Sequence, residues 1–308
     1  MSTRCGGGVR RRAASVRATK GFALSSTPEL VGILGGGRMG AGIAQVFLML
    51  GTEVHVAEND DAAAGAARQR VRDGLEGAVR RGKLDDDPEA VLARLHVVTG
   101  IGELPAEADL VVEAVPERPE LKLDVLAAAE RAVSERTVLA SNTSSLSIAE
   151  LATALRNPRR FLGMHFFNPV PASKLVEVVV APETADDTVQ AVSGWVRGLG
   201  RTDVVVRDSP GFATSRLGVA LGLEAIRMLQ EGVADAESID TAVELGYRHP
   251  MGPLRSTDLV GLDVRLAVAD YLHGTLGERF APPQLLRDKV ERGELGRKSG
   301  RGFHEWPD

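Results

Sequence analysis

Six histidines occur in this 308-residue chain: His55, His96, His165, His249, His273 and His304. A lone histidine is more often structural than chemical, but His165 stands apart by its setting. It lies in Gly163-Met164-His165-Phe166-Phe167-Asn168-Pro169, where an apolar run ends at an imidazole and a turn with two prolines follows. The next apolar run, Leu175 to Val180, contains one acid, Glu177. A carboxylate inside an apolar run is costly unless it is paired. Two strands joined by so short an excursion can bring His165 and Glu177 together. A carboxylate bonded to one imidazole nitrogen fixes the tautomer and makes the other nitrogen more basic, which suits a general base. From spacing alone two outcomes stay open: the two groups pair, or each has a separate structural role.

A second signal concerns a nucleotide. Gly35-Gly36-Gly37-Arg38-Met39-Gly40 matches G-x-G-x-x-G. It follows the apolar run Val31 to Leu34 and opens the helical pattern Met39 to Leu50, the context the motif requires. Gly35 serves the tight turn, Gly37 lets backbone approach a pyrophosphate, and Gly40 allows close helix–strand packing. The backbone N–H groups at the following helix start, with Arg38 and Met39, can receive the phosphates. Glu58 ends the next apolar run, Glu53 to Ala57, where a carboxylate can accept from both ribose hydroxyls and repel a 2′-phosphate. NAD is therefore expected rather than NADP. By contrast, Gly6 to Gly8 follow no apolar run and carry no such meaning.

These residues need a scaffold, and the sequence outlines one. Short apolar runs at 31–34, 53–57, 95–98, 110–115 and 137–140 read as strands. Helical patterns separate several of them, at 39–50, 62–81 and 120–133. Strands alternating with helices predict an α/β fold with a mostly parallel sheet covered on both faces, a Rossmann-type domain. Runs at 161–166, 175–180 and 202–206 extend the strand series. At Ser209-Pro210-Gly211 the character changes. Serine as N-cap and proline at the first helical position predict one long helix over 212–230. Helical patterns at 236–245, 262–276 and 283–291 follow. The expected division is a basic, disordered tail over 1–27, a dinucleotide-binding domain over 28–208 and an all-helical domain over 209–308.

Composition excludes several classes. Hydrophobic residues make up 44% and charged residues 26%, which fits a globular chain. Net charge is −5, so no global basic character is present to hold nucleic acid. Cys5 is the sole cysteine, so neither an intramolecular disulfide nor a cysteine metal cluster forms, and the site calls for no metal. No apolar stretch approaches the roughly 20 residues of a membrane helix. The tail holds six basic residues, Arg4, Arg10, Arg11, Arg12, Arg17 and Lys20, and no acid. It is read as a solvated tail of a cytoplasmic protein from a GC-rich bacterial source, with an organellar transit peptide as the alternative.

The motifs VGILGGGRMGAGIA, DLVVEAVPE, SNTSSL, GMHFFNPVP, KLVEVV, DSPGF, HPMGPL and LGRKSGRGF occur in order between about residue 30 and residue 306. Together they resemble the L-3-hydroxyacyl-CoA dehydrogenase family, including its short-chain 3-hydroxybutyryl-CoA members. The resemblance implies NAD-dependent interconversion of (S)-3-hydroxyacyl-CoA and 3-oxoacyl-CoA by a homodimer. It implies that His165 is the general base, Glu177 its partner, and Ser144 a hydrogen-bond donor to the C3 oxygen of the substrate. Glu117, Lys122, Asn142, Asn168 and Lys298 match positions around the nicotinamide half of the cofactor. Without the resemblance, Lys122 reads as a solvated charge, Lys298 as a loop residue, and Asn142 and Thr143 as caps of the helix starting near Ser147. Gly74 and Arg81 match contacts to the coenzyme A moiety, although Gly74 has no side chain to offer. One departure stands out: Ser215 replaces the asparagine of the family's PGF-x-x-N-R-L segment. A serine there keeps a donor but is shorter, so it reaches substrate through a bridging water. A fused hydratase domain, as in multifunctional relatives, is not expected at this length. Two rival readings are a sugar-acid dehydrogenase of the same superfamily and a catalytically decayed NAD-binding protein.

Overall fold

The computed structural model describes residues 27–307. The expected tail and Cys5 lie outside the described residues, apart from Thr27 itself. The first half alternates strands and helices. In order these are β1 (Leu30–Leu34), α1 (Arg38–Leu48), β2 (Glu53–Ala57), α2 (Asp61–Arg80), α3 (Pro88–Leu92), β3 (Leu95–Val98), β4 (Leu110–Glu113), α4 (Pro119–Ala132) and β5 (Val138–Ser141). Then come α5 (Ile148–Ala152), β6 (Phe161–Phe166), β7 (Leu175–Val180), α6 (Asp186–Gly198) and β8 (Thr202–Arg207). The remainder is helical: α7 (Thr214–Gln230), α8 (Ala236–Tyr247), α9 (Pro253–Val260), α10 (Leu262–Leu276) and α11 (Gln284–Glu291).

The strands form one eight-stranded sheet in the order β3-β2-β1-β4-β5-β6-β7-β8. From β3 to β6 all neighbours are parallel, and their apolar runs are buried because helices cover both faces. One face packs against α1, α2 and α6 through Ile43, Phe47, Val71, Leu75 and Trp195. The other packs against α4 and α5 through Leu126, Ala129 and Leu151. A third core draws only on residues from Val219 to Leu286 and belongs to the helical half.

The sheet changes direction at β7. It pairs antiparallel with β6, and β8 then runs parallel to β7. The link from β6 to β7 is too short for the dozen or more residues of a parallel crossover, so the chain must turn back. That return fixes the register His165↔Glu177. The sheet is mostly parallel, as its sequence pattern predicts.

Two differences from the expected elements have local causes. Ser209-Pro210 does not open α7. Phe212 N–H donates to the Ser209 carbonyl at 2.8 Å, and Gly211 and Phe212 take φ of +74° and +49°. The segment is a turn, and the helix starts at Thr214 without a side-chain cap of its own. Helices at 186–198 and 253–260 carry no expectation from the sequence. The second is short and enclosed by Gly252 and Gly261, so no apolar period develops.

Gly163 shows how tightly the antiparallel pair is set. A Cβ added there would lie 2.8 Å from Val179 Cβ and 2.9 Å from Ile148 Cδ1. Gly163→Ala is expected to cost about 1–3 kcal/mol of stability by overpacking and to lower activity by moving His165. Thermal unfolding with a parallel assay checks this, and a wild-type melting temperature would contradict the packing account.

Candidate active site

The glycine turn is built as its motif predicts. Gly35 takes φ of +89° and donates its N–H to the Ala57 carbonyl, tying β1 to the end of β2. A Cβ on Gly40 would sit 1.9 Å from the Gly35 carbonyl oxygen, so only glycine lets α1 approach. Nothing lies within 4 Å of the Cβ position of Gly37, which leaves its backbone open to a ligand. Glu58 follows β2, and its Oε1 accepts from Gly36 N–H at 2.6 Å. Gly35, Gly37, Arg38, Met39 and Glu58 line one cleft of about 540 Å³. An unblocked helix start, an open Gly37 and a carboxylate at the strand end fit a dinucleotide. Arg70 from α2 also enters this cleft and donates to the Gly36 carbonyl at 3.1 Å, a placement no motif announced.

Met39, Ala114 and Val115 are shared with a second cleft of about 350 Å³. Its wall carries Glu117, Lys122, Asn142, Ser144, His165 and Asn168. His165 Nδ1 lies 2.8 Å from Glu177 Oε2. The carboxylate can only accept there, so Nδ1 carries the proton and Nε2 keeps the free lone pair. Both side chains are buried, and the Phe167 and Phe212 rings flank the imidazole at 4.4 and 5.8 Å.

Glu177 accepts four hydrogen bonds. Its Oε1 accepts the N–H groups of Ala213 and Thr214 at 3.0 and 2.9 Å. Its Oε2 accepts the Thr214 hydroxyl at 2.6 Å besides His165. The acid thereby caps α7 from across the fold, which explains why that helix needs no cap of its own. Burial pushes the carboxyl up, but His165, the Thr214 hydroxyl and the Thr214 N–H outweigh it and hold it below the usual range. Thr214 had no place in the sequence reading. Its signal was position, since it sits where an exposed helix start needs a partner.

A second buried acid organises the opposite wall. Glu113 at the end of β4 bonds Lys122 Nζ at 2.6 Å, Val115 N–H at 2.8 Å and the Ser141 hydroxyl at 2.5 Å. Lys122 is buried rather than solvated, and its Nζ also lies 3.2 Å from Glu117 Oε2. Glu117 Oε1 accepts the Thr143 hydroxyl at 2.5 Å and the Ser144 N–H at 3.0 Å. Burial raises the Glu117 carboxyl, yet Lys122, Thr143 and Ser144 together bring it below its ordinary value. Asn142 is no helix cap. Its Oδ1 accepts Phe166 N–H at 2.8 Å, bracing β5 against β6, while Ser147 caps α5. Ser215 donates to the Ser144 carbonyl at 3.4 Å, a long bond to the loop rather than into the cleft.

The remaining candidates lie apart. Lys298 is spent on Asp263, 2.6 Å from both carboxylate oxygens, and lines neither cleft. Arg81, Lys83 and Arg201 border a separate cleft of about 590 Å³ with Met49 and Pro171. Gly74 is covered by Gln45, whose Nε2 donates to its carbonyl at 2.8 Å and whose Oε1 lies 2.5 Å from the Cβ position.

Comparison with known proteins places this architecture. Residues 30–209 match the family model described as 3-hydroxyacyl-CoA dehydrogenase, NAD binding domain, and residues 211–306 match that of the C-terminal domain. The chain belongs to the 3-hydroxyacyl-CoA dehydrogenase family. It is an oxidoreductase of that type, and its cofactor is NAD. A probable 3-hydroxybutyryl-CoA dehydrogenase of Deinococcus radiodurans is 42% identical over 276 residues, spanning 89% of this chain and 99% of that protein. A 3-hydroxybutyryl-CoA dehydrogenase of Mycobacterium tuberculosis is 42% identical over 92% of this chain and its own full length. The crystal structure of the (S)-3-hydroxybutyryl-CoA dehydrogenase of Ralstonia eutropha superposes with a TM-score of 0.87 at 38% identity, covering 92% of this chain and all of that one.

The depressed Glu177 carboxyl makes a pH prediction for this 3-hydroxyacyl-CoA dehydrogenase. A folded value below the unfolded one of about 4.3 gives stability that is fully present above that pH and is lost as pH falls through the folded value. Wild type should therefore exceed Glu177→Gln by about 1.5–3 kcal/mol at neutral pH. The gap should close on acidification. Urea unfolding of both proteins across pH measures it, and a gap independent of pH would contradict the assignment.

Proposed function

We propose that the chain interconverts short-chain (S)-3-hydroxyacyl-CoA, of the 3-hydroxybutyryl-CoA class, and 3-oxoacyl-CoA, with His165 as the general acid–base. The reading rests on one observation above the others. The imidazole lies 2.8 Å from a buried carboxylate, in a cleft that shares Met39, Ala114 and Val115 with the glycine-turn cleft. The names of the D. radiodurans and M. tuberculosis relatives support the short acyl chain.

In the oxidative direction His165 Nε2 takes the proton of the C3 hydroxyl. The charge that appears on the ring is stabilised by Glu177, which stays ionised because four donors face it. Ser144, held by its N–H on Glu117, directs its hydroxyl to the C3 oxygen. Ser215 steadies the carbonyl of that loop. NAD, when bound, supplies the hydride acceptor for C3. Gly37 and the start of α1 hold its phosphates, Glu58 its adenosine ribose, and Asn142 and Asn168 border its nicotinamide end. Lys122 keeps Glu117 in place rather than meeting ligand. In the reductive direction the imidazolium returns the proton. The basic rim at Arg81 and Lys83 meets the coenzyme A phosphates.

Purified protein should oxidise NADH with acetoacetyl-CoA and use NADPH poorly. His165→Gln should lose roughly 100- to 10,000-fold in kcat with its fold intact by circular dichroism. Near-normal turnover in that variant would falsify the assignment of the base.

The same reading makes the protein a cytoplasmic homodimer. Leu217, Leu221, Leu245, Tyr247, Val260 and Val264 are exposed apolar side chains on the helical half, and Leu245 and Tyr247 are each 78% exposed. Large exposed apolar surface commonly marks a protein–protein interface. Light scattering should give twice the chain mass, and the double variant Leu217→Glu, Leu221→Glu should shift it to the monomer. A monomeric wild type would defeat this part of the reading.

A further inference from the structure

At the far edge of the sheet from His165, three side chains outside the dehydrogenase site converge. β3 is the outermost strand, and its pairing with β2 sets His96 opposite His55. Glu53 precedes His55 by two residues and so projects from the same face of β2. Glu53 Oε1 lies 3.0 Å from His55 Nε2 and 3.4 Å from His96 Nε2. One ligand atom from each of the three lies within 4.8 Å of the others. Two ligands bound at about 2.0–2.1 Å to one tetrahedral ion are themselves about 3.3 Å apart, so these spacings fit such an ion with only small side-chain movements.

We propose that Glu53, His55 and His96 form a binding site for one transition-metal ion of the zinc class. Two imidazoles and one carboxylate are a donor set for zinc, cobalt or nickel, whereas magnesium and calcium prefer oxygen throughout. Three protein ligands leave the fourth position to water, and the exposure of Glu53 and His96 gives the ion a path in. The ligands come from paired strands, and the two rings stack at 4.5 Å with 20° between their planes, so one ring must turn about its χ2 to aim its lone pair at a shared ion. Affinity is set lower than in a fully supported zinc site. His55 Nδ1 is buried without a hydrogen-bond partner, so nothing holds that ring from behind. Missing support of this kind weakens a site about 10- to 100-fold. The proposal stands independently of the reaction, which needs no metal.

Isothermal titration of the full chain with zinc chloride tests it, with magnesium chloride as the control. One equivalent of zinc should bind saturably, and magnesium should give no heat. His96→Gln and Glu53→Gln should each weaken zinc binding at least about tenfold. His165→Gln should leave the zinc isotherm unchanged, which separates this cluster from the imidazole of the cleft. Cobalt in place of zinc should give the visible absorption of a tetrahedral ion in wild type and lose it in Glu53→Gln. No zinc heat from wild type, or wild-type isotherms in both edge variants, would overturn the site. Loss of NADH oxidation in His165→Gln beside intact zinc binding would keep the two proposals separate.

Discussion

The structure depends on the carboxylate of Glu177. It is an ion placed in the middle of a buried strand, and burial alone would make it neutral or drive it to the surface. Four donors prevent that: the His165 ring, the Thr214 hydroxyl and the N–H groups of Ala213 and Thr214. They come from two places, the neighbouring strand and the first turn of the helical half. Satisfying this one charge therefore joins β6 to β7 and joins the sheet to α7. The tight turn over 209–213, with Gly211 and Phe212 at positive φ, is the backbone path that points the first N–H groups of α7 at the acid.

A second acid in an apolar strand plays a different part. Glu113 faces Lys122, whose side chain is itself buried. From that pair a polar chain runs outward through Glu117 to Thr143 and the backbone of Ser144. The loop carrying Ser144 is thus gripped by Glu117 on its N–H side and touched by Ser215 on its carbonyl side. One grip comes from the sheet half and the other from the helical half.

Much of this was legible in residue order because strand periodicity and glycine geometry are local. The eight apolar runs became eight strands within a residue or two at each end, and Gly35, Gly37 and Gly40 each have the steric reason their motif gives. Glu177 was conspicuous for the same reason that it matters, a charge where none is affordable. Glu113 satisfies that criterion equally well, although its place at the end of an apolar run makes it look like a strand terminus alone. What stayed hidden was non-local. The cap of α7 is supplied by a residue some forty positions upstream, so Ser209-Pro210 looked like the helix start when it is a turn. Lys122 looked solvated because helix spacing does not show which carboxylates a strand end will offer. Lys298 lies beside Asp263 because of how the C-terminal segment folds back onto α10, which no short-range pattern encodes.

The two buried acids differ in the partner that each retains, and the difference bears on chemistry. Glu113 is held by the side chain of Lys122, which also reaches the Val115 carbonyl and Glu117. The ionisable group bonded to Glu177 is an imidazole, whose charge can change. With the ring neutral, the carboxylate is stabilised by hydrogen bonds and the start of a helix alone. With the ring protonated, the same carboxylate gains a full counter-charge at 2.8 Å without moving. The neutral donors thus keep Glu177 ionised in advance, so that stabilisation of the protonated ring requires no rearrangement when the proton arrives. Replacing those donors by a second lysine would satisfy the acid equally well, but it would remove the incentive for the imidazole to take up charge. In the proposed reaction, that titratable partner on Glu177 is what would let a rigid cleft carry a moving proton.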